Sequence, residues 1–302
     1  MRADRSRWLA GGFTLAAMLL SAMFPAKAQE VAPNDAPSHD TILVQGLKTE
    51  ALKKAIGTYV NALTVMDASE PLARYAPGTY CPAVLGLNDT LDAQITARMR
   101  QVAEAAGVKP APSGCQTSAL VFFVDDKQSF IREFQRLQPA YFKDPKGDLW
   151  SPPKEPGPAV SWQLTQQIDP QGNAISRDMG GTRYVESVEG GGRITSMITV
   201  EVAMSVVIIE RRSLVGLSTT QIADYALMRS LTDRGPKDLN DAKRFSILGV
   251  IDAPMGSETP ASLTAWDLAY LKGRYAGDPR FFGTRQGTII RQSIERAVTG
   301  KK

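Results

Sequence analysis

Asp224 is the acid in this chain best placed to do chemistry. It lies in Ile222-Ala223-Asp224-Tyr225-Ala226-Leu227-Met228, a stretch that is apolar on most faces of a helix. Burying a carboxylate there is costly unless it is paired. The structural reading is an ion pair with Arg211, Arg212 or Arg244, or an exposed stripe shared with Gln221. The catalytic reading makes Asp224 the acid of a hydrolase that works without histidine, as carboxylate pairs do in glycosidases. Ser151-Pro152-Pro153-Lys154 matches S-x-x-K, a spacing that works when one helical turn brings Lys onto the Ser hydroxyl. Two prolines after the serine favour extended chain instead, and no K-T-G accompanies it.

What is missing narrows the chemistry further. The 302 residues contain one histidine, His39, in the polar segment Ala36-Pro37-Ser38-His39-Asp40. Read as part of a leader, it leaves the body of the chain without imidazole. That excludes Ser-His-Asp triads, Cys-His dyads and zinc held by histidine. The two cysteines, Cys81 and Cys115, are too far apart for a C-x-x-C redox pair. In an oxidising compartment they are most simply a disulfide. Closing a loop of about 35 residues is worth roughly 3.8 kcal/mol in the chain-entropy account. Only carboxylates then remain as metal ligands, and these suit calcium, magnesium or manganese better than zinc. The glycines at 180–181 and 190–192 lack the strand-then-helix setting of a phosphate-binding loop. Asp144-Pro145-Lys146-Gly147-Asp148 and Asp169-Pro170-Gln171-Gly172-Asn173 lack the later Glu of a calcium loop and read as turns. No metal and no cofactor is expected.

The elements that must position these groups read as α+β, a mixed sheet packed with helices. Residues 41–44 suggest a short strand, and 47–63 a helix with apolar residues at 52, 56, 59, 60 and 63. Residues 66–80 read as loop and 82–87 as a buried strand. Residues 89–106 form the clearest helix. Leu91, Ile95, Met99, Val102 and Ala106 share one face, Asn88 and Asp89 cap the start and Gly107 stops it. A central strand over 118–124 and a helix around 130–137 follow. The disulfide would join the starts of the two strands across the helix between them. Six prolines in 139–158 mark either a domain linker or a long surface loop.

The second half reads as β-rich, with strands at 160–168, 184–188, around 194–209 and 245–251. Ser218-Thr219-Thr220-Gln221 is a capping box opening a mostly apolar helix to Leu231. Asp267 is most simply the capping acid of a helix from Thr264 to about Tyr275, and a last helix covers about 285–298.

The amino terminus reads as a signal peptide. Arg2, Arg5 and Arg7 precede an uncharged apolar run over 8–24, and Pro25-Ala26-Lys27-Ala28 supplies an A-x-A site ahead of Gln29. Cleavage between Ala28 and Gln29 is expected, followed by a disordered leader over 29–40 and a globular domain over 41–302. The formal charge of +4 then falls to about +1, because Arg2, Arg5, Arg7, Lys27 and Asp4 depart together. A near-neutral body has no bulk electrostatic reason to bind nucleic acid. Lys53-Lys54, Arg211-Arg212 and Lys243-Arg244 read as solvated surface, and no later stretch is long and apolar enough to leave a stable membrane span.

Three stretches carry a resemblance. Tyr80-Cys81-Pro82-Ala83-Val84-Leu85-Gly86-Leu87, Gly114-Cys115 leading into Leu120-Val121-Phe122-Phe123, and Leu263-Thr264-Ala265-Trp266-Asp267-Leu268-Ala269-Tyr270-Leu271-Lys272 resemble a family of uncharacterised exported alphaproteobacterial proteins. That family carries no assigned activity, so the resemblance implies location. The chain is also similar to zincin metallopeptidases in having a strand at 206–209 ahead of the 219–231 helix, and a later helix patterned L-T-x-x-D-x-x-x-L-x-x-x-Y. In a zincin-like fold, Gln221 and Tyr225 stand where two zinc-binding histidines would be, and Ile222 stands in place of the catalytic Glu. The metal site is therefore expected to be lost. The sequence points to a periplasmic or secreted protein that binds an envelope protein, peptide or glycan without catalysis. The alternative is a hydrolase using carboxylates or Ser/Lys.

Overall fold

A computed structural model describes residues 49–142, 154–175, 192–254 and 256–300. The expected signal peptide, the expected leader with His39, the strands expected at 41–44 and 184–188, the turn expected at 144–148, Ser151 to Pro153, and the glycines at 180–181 and 190–191 lie outside them. The described residues fall in one unit, Pro37–Lys302, and the other unit, Met1–Ala36, lies outside the description.

The first helix, α1, is Thr49–Leu63. The strand–helix–strand unit read from the sequence follows: β1 (Pro82–Leu85), α2 (Asp89–Ala105) and β2 (Ala119–Val124). The strands pair in parallel, Pro82 opposite Ala119. Parallel neighbours need a crossover, and α2 supplies it. Asn88 caps α2 by accepting from the Leu91 amide at 3.0 Å, and Gly107 follows its end at φ +86°. Ile95, Met99, Val102 and Ala103 are its buried face. Leu91 is only half-buried.

Cys81 and Cys115 are disulfide-bonded, with Cα atoms 6.2 Å apart. The bond joins the entrances to β1 and β2 across α2. Cys81→Ser is expected to lower the unfolding free energy by about 2–4 kcal/mol, read from urea midpoints of oxidised protein. An unchanged midpoint would mean that the enclosed loop is as restricted without the bond as with it.

Asp126 ends β2 by capping α3 (Lys127–Leu137), accepting from the Ser129 amide at 2.6 Å. After the proline-rich segment, β3 (Ala159–Ile168) pairs antiparallel with β4 (Thr199–Glu210), and β4 pairs parallel with β2. The sheet order is β1-β2-β4-β3, so strands on both sides of the proline-rich segment belong to one sheet. Both faces are covered. Val121, Phe123, Val207 and Ile209 join the larger core, while Val124, Val160, Val206 and Ile208 join a smaller one with Phe142 and Trp162 beneath α3. Burial on both faces explains why β4 reads Val-Val-Ile-Ile instead of alternating.

The larger core is completed by α4 (Thr219–Leu231), α5 (Ala265–Tyr275) and α6 (Gly283–Thr299). Gly273 lets α5 and α6 approach: a Cβ there would sit 2.8 Å from the Ile290 Cα. The capping boxes at Ser218/Gln221 and Thr264/Asp267 are both formed. Among the described residues, no helix is long and apolar enough to cross a membrane.

The second half departs from its sequence reading. Among the described residues it contributes two strands, β3 and β4. The expected strand at 245–251 is a pair of 3₁₀ turns, Asn240–Phe245 and Ile247–Asp252. Side chains claim the backbone there. Ser246 Oγ accepts from the Leu248 amide at 3.1 Å, and Asp267 Oδ2 accepts from the Ile247 amide at 2.8 Å. Such local bonds compete with strand pairing, and the apolar Ile247, Leu248 and Val250 are buried in turns instead.

Asp267 is more than a cap. Fully buried, it also accepts from Tyr59 Oη at 2.5 Å, Ser246 Oγ at 2.6 Å and the Thr264 amide at 3.1 Å. One carboxylate thereby ties α1, the 3₁₀ turns and α5 together.

Candidate functional site

Every residue of α4 from Ile222 to Leu231 is buried. Its polar side chains therefore need partners inside the protein. Asp224 finds Arg98 on α2, which donates through Nε at 2.8 Å and Nη2 at 3.0 Å, and the Leu263 amide at 2.7 Å. The ion-pair partner is Arg98 and not Arg211, Arg212 or Arg244, because α2 packs along α4. The other three are engaged elsewhere. Arg211 bonds Asp125 and the Gly86 carbonyl, Arg212 bonds Glu210, and Arg244 lies over the Phe245 ring. Asp224 thus latches α4 to α2 and to the start of α5, and does not line the cavities described below.

One turn further on, Arg229 organises a second buried set. Its Nη2 donates to both oxygens of Glu155, at 2.8 and 2.7 Å. Nε and Nη2 reach Ser161 Oγ at 3.1 and 2.9 Å, and Nη1 donates to Tyr225 Oη at 3.0 Å. Burial pulls Arg229 down, but Tyr225 and Glu155 more than offset it and hold the guanidinium above its ordinary range. Glu155 also accepts from the Ser161 amide at 3.1 Å. Its carboxylate fits because residue 235 is glycine: a Cβ there would stand 1.9 Å from Oε2.

The chain carrying Glu155 is pinned from its other side by Lys127 at the start of α3. The buried ammonium donates to the carbonyls of Glu155 at 2.8 Å, Gly157 at 2.7 Å and Ala159 at 3.3 Å. Burial lowers its pKa.

Tyr225 and Arg229 form one wall of a cavity of about 330 Å³, opposite Pro156, Pro158, Lys237 and Ile251. Burial raises the Tyr225 phenol to about 12, against the lowering pull of Arg229. It stays protonated near neutral pH. Its oxygen accepts from Arg229, and its own proton has no acceptor among the described residues. Tyr225 is 1 % exposed, so this unused donor lies within the cavity wall. The two carboxylates of this cavity are each committed to a cation, Glu155 to Arg229 and Asp252 to Lys243.

Two further cavities share its walls. One, of about 500 Å³, shares Glu155 and Lys237 and continues to Lys154 and Asp238. The other, of about 440 Å³, shares Lys243 and Asp252 and continues to Glu258 and Pro260. The three spaces adjoin through these shared lining residues and together form the groove, with Tyr225 lining the first of them.

The structure brings together residues that the sequence did not. Tyr225, singled out by its spacing from Gln221, lines the groove. Gln221 instead braces the wall, donating to the Pro260 carbonyl at 2.9 Å, and Ile222 packs against the core. Glu155, Arg229 and Ser161 were missed. The available signal was Arg229 itself, the one basic residue of a helix otherwise as apolar as the setting that drew notice to Asp224. Of the S-x-x-K match, the described Lys154 lines the groove. Asp169 shapes a turn, accepting from the Gln171 and Asn173 amides at 2.9 and 2.8 Å. Among the described residues, no group of three or more His, Cys, Asp or Glu side chains could hold a metal ion. No family model, curated protein or solved structure matches the chain.

Proposed function

We propose that this is an exported envelope protein, periplasmic or secreted, that binds an extended protein segment, peptide or glycan along the groove without turning it over. The observation that carries the reading is that three cavities adjoin through shared lining residues, the first of them lined by Tyr225. A row of adjoining spaces suits a chain-like ligand, and an unused phenol donor in the wall suits its carbonyl or hydroxyl oxygens. The disulfide and the A-x-A site support export. A hydrolase would need a carboxyl group free to exchange a proton with its substrate; beside Tyr225, Glu155 and Asp252 are tied to Arg229 and Lys243, and the carboxylates without an ion pair among the described residues, Asp238 and Glu258, line the two outer cavities instead. Were the fold zincin-like, Gln221, Ile222 and Tyr225 would leave it without a metal site, which suits binding without catalysis.

The test is a photo-crosslinking residue introduced at the exposed position of Lys237, with captured envelope peptides and glycan fragments weighed by mass spectrometry. Captured material should keep its mass on prolonged incubation. Tyr225→Phe removes one donor, and capture should fall several-fold to about tenfold, the worth of one hydrogen bond. Fragments that shorten with time on the wild-type protein would replace the binding reading with the hydrolase.

A further inference from the structure

A separate cavity of about 230 Å³ lies at the opposite end of β4, against Thr199 and Val200. Arg74 lines it and is only 7 % exposed. Its Nη1 donates to the carbonyls of Arg274 at 3.1 Å and Ala276 at 3.3 Å. Among the described residues, Nε and Nη2 have no hydrogen-bond partner and no carboxylate forms an ion pair with this guanidinium. The other two deeply buried arginines differ in this respect: Arg229 holds Glu155 and Arg274 holds Asp233. Asp278, nearby, is engaged by Arg280 at 2.9 Å. Burial and the neighbouring Arg274 pull Arg74 down to about 10, so it remains cationic near neutral pH. Asp278 acts on Arg74 through space but forms no ion pair with it, and a buried charge without a direct partner is expensive.

We propose that this cavity binds a monocarboxylate with a short apolar body, its carboxylate taken by Arg74. A guanidinium offers parallel donors that match the two oxygens of a carboxylate, and Nε and Nη2 are the two left over. The phenols of the lining, Tyr75 and Tyr275, have raised pKa values and stay neutral; its charged residues are Arg74, the exposed Lys109 and the half-buried Glu201. Their sum is one positive charge, which matches a monoanion and disfavours a phosphate dianion. Val108, Val200, Pro77 and Pro279 supply apolar walls for the rest of the ligand.

The site is distinct from the groove, and its test does not depend on the groove's function. The probe is sodium hexanoate, titrated into the disulfide-bonded protein and followed by calorimetry and amide NMR. Binding should saturate, with shifts concentrated at Gly107, Lys109, Val200 and Gly277. Hexanamide, of the same shape but uncharged, should bind at least about tenfold more weakly, as expected when the charge-assisted pair is lost. Arg74→Lys keeps the charge and loses the fork, and should weaken hexanoate by about tenfold. Should Arg74→Lys fail to fold, Lys109→Glu, on the surface, sets an acid at the same wall and should weaken hexanoate several-fold. Equal binding of hexanoate and hexanamide, shifts that avoid these residues, or displacement of hexanoate by a lower concentration of inorganic phosphate would each overturn the proposal.

Discussion

Replacing Glu155 with Ala should lower the unfolding free energy by about 3–5 kcal/mol, the usual consequence of removing one partner from a buried ion pair. The size follows from what is left behind. Arg229 is fully buried, and the lost carboxylate takes two charge-assisted bonds with it. Ser161 Oγ and Tyr225 Oη remain, but neither carries the opposing charge. The Ser161 amide also loses its acceptor at the start of β3. The double variant Glu155→Ala, Arg229→Met should recover much of the loss, because an apolar side chain of similar length leaves no stranded charge. Urea unfolding of the two variants checks this. A double variant no more stable than the single one would mean that Glu155 acts through the shape of the 155–159 chain and not through Arg229.

Asp267→Ala is expected to cost a comparable amount, about 3–5 kcal/mol, because several buried donors lose their acceptor at once. Tyr59, Ser246, the Ile247 amide and the Thr264 amide all point at this carboxylate. Asp267→Asn should cost less. Its remaining oxygen can serve the Tyr59 and Ser246 pair or the two amides, but the new NH₂ group faces donors on the other side. Burial raises the Asp267 pKa, and the surrounding hydrogen bonds lower it by less. A carboxyl raised in the folded state binds its proton more tightly there than in the unfolded chain. Its contribution is therefore fully present below the unfolded pKa and is lost as pH rises through the folded value. Comparing wild type with Asp267→Asn across the acid range should show the wild type's advantage growing as pH falls. An advantage that shrinks instead would contradict the raised value.

The helices were legible because their signals are local. The apolar stripe of α2, its Asn88 cap and the glycine after it are all contained within about twenty residues, as are the capping boxes of α4 and α5. The strand–helix–strand unit was legible because apolar runs at 82–87 and 118–124 flank the α2 stripe, with Cys81 and Cys115 ahead of each run. The 245–251 segment was not legible. Its apolar residues suit a strand, and what turns it is a carboxylate some twenty residues later. The groove escaped for the same reason on a larger scale. Glu155 lies in a proline-rich stretch with no periodicity, 74 residues from Arg229, and nothing local announces that they meet. Asp224 was conspicuous as an acid in an apolar helix, yet its partner came from α2 and not from the nearby arginines.

The bond from Tyr59 to Asp267 spans 208 residues of chain. The first described helix, α1, packs beside the last, α6. A polypeptide that emerges amino end first cannot complete this core until its final helices are available, however early the Cys81–Cys115 unit has formed. Contacts so distant in sequence slow folding, because the intervening chain must be ordered before they contribute. For a chain threaded across a membrane before it folds, that delay is useful. On the proposed export route, a segment in transit would keep its buried faces unpaired, and the two ends would meet only after the whole length had crossed.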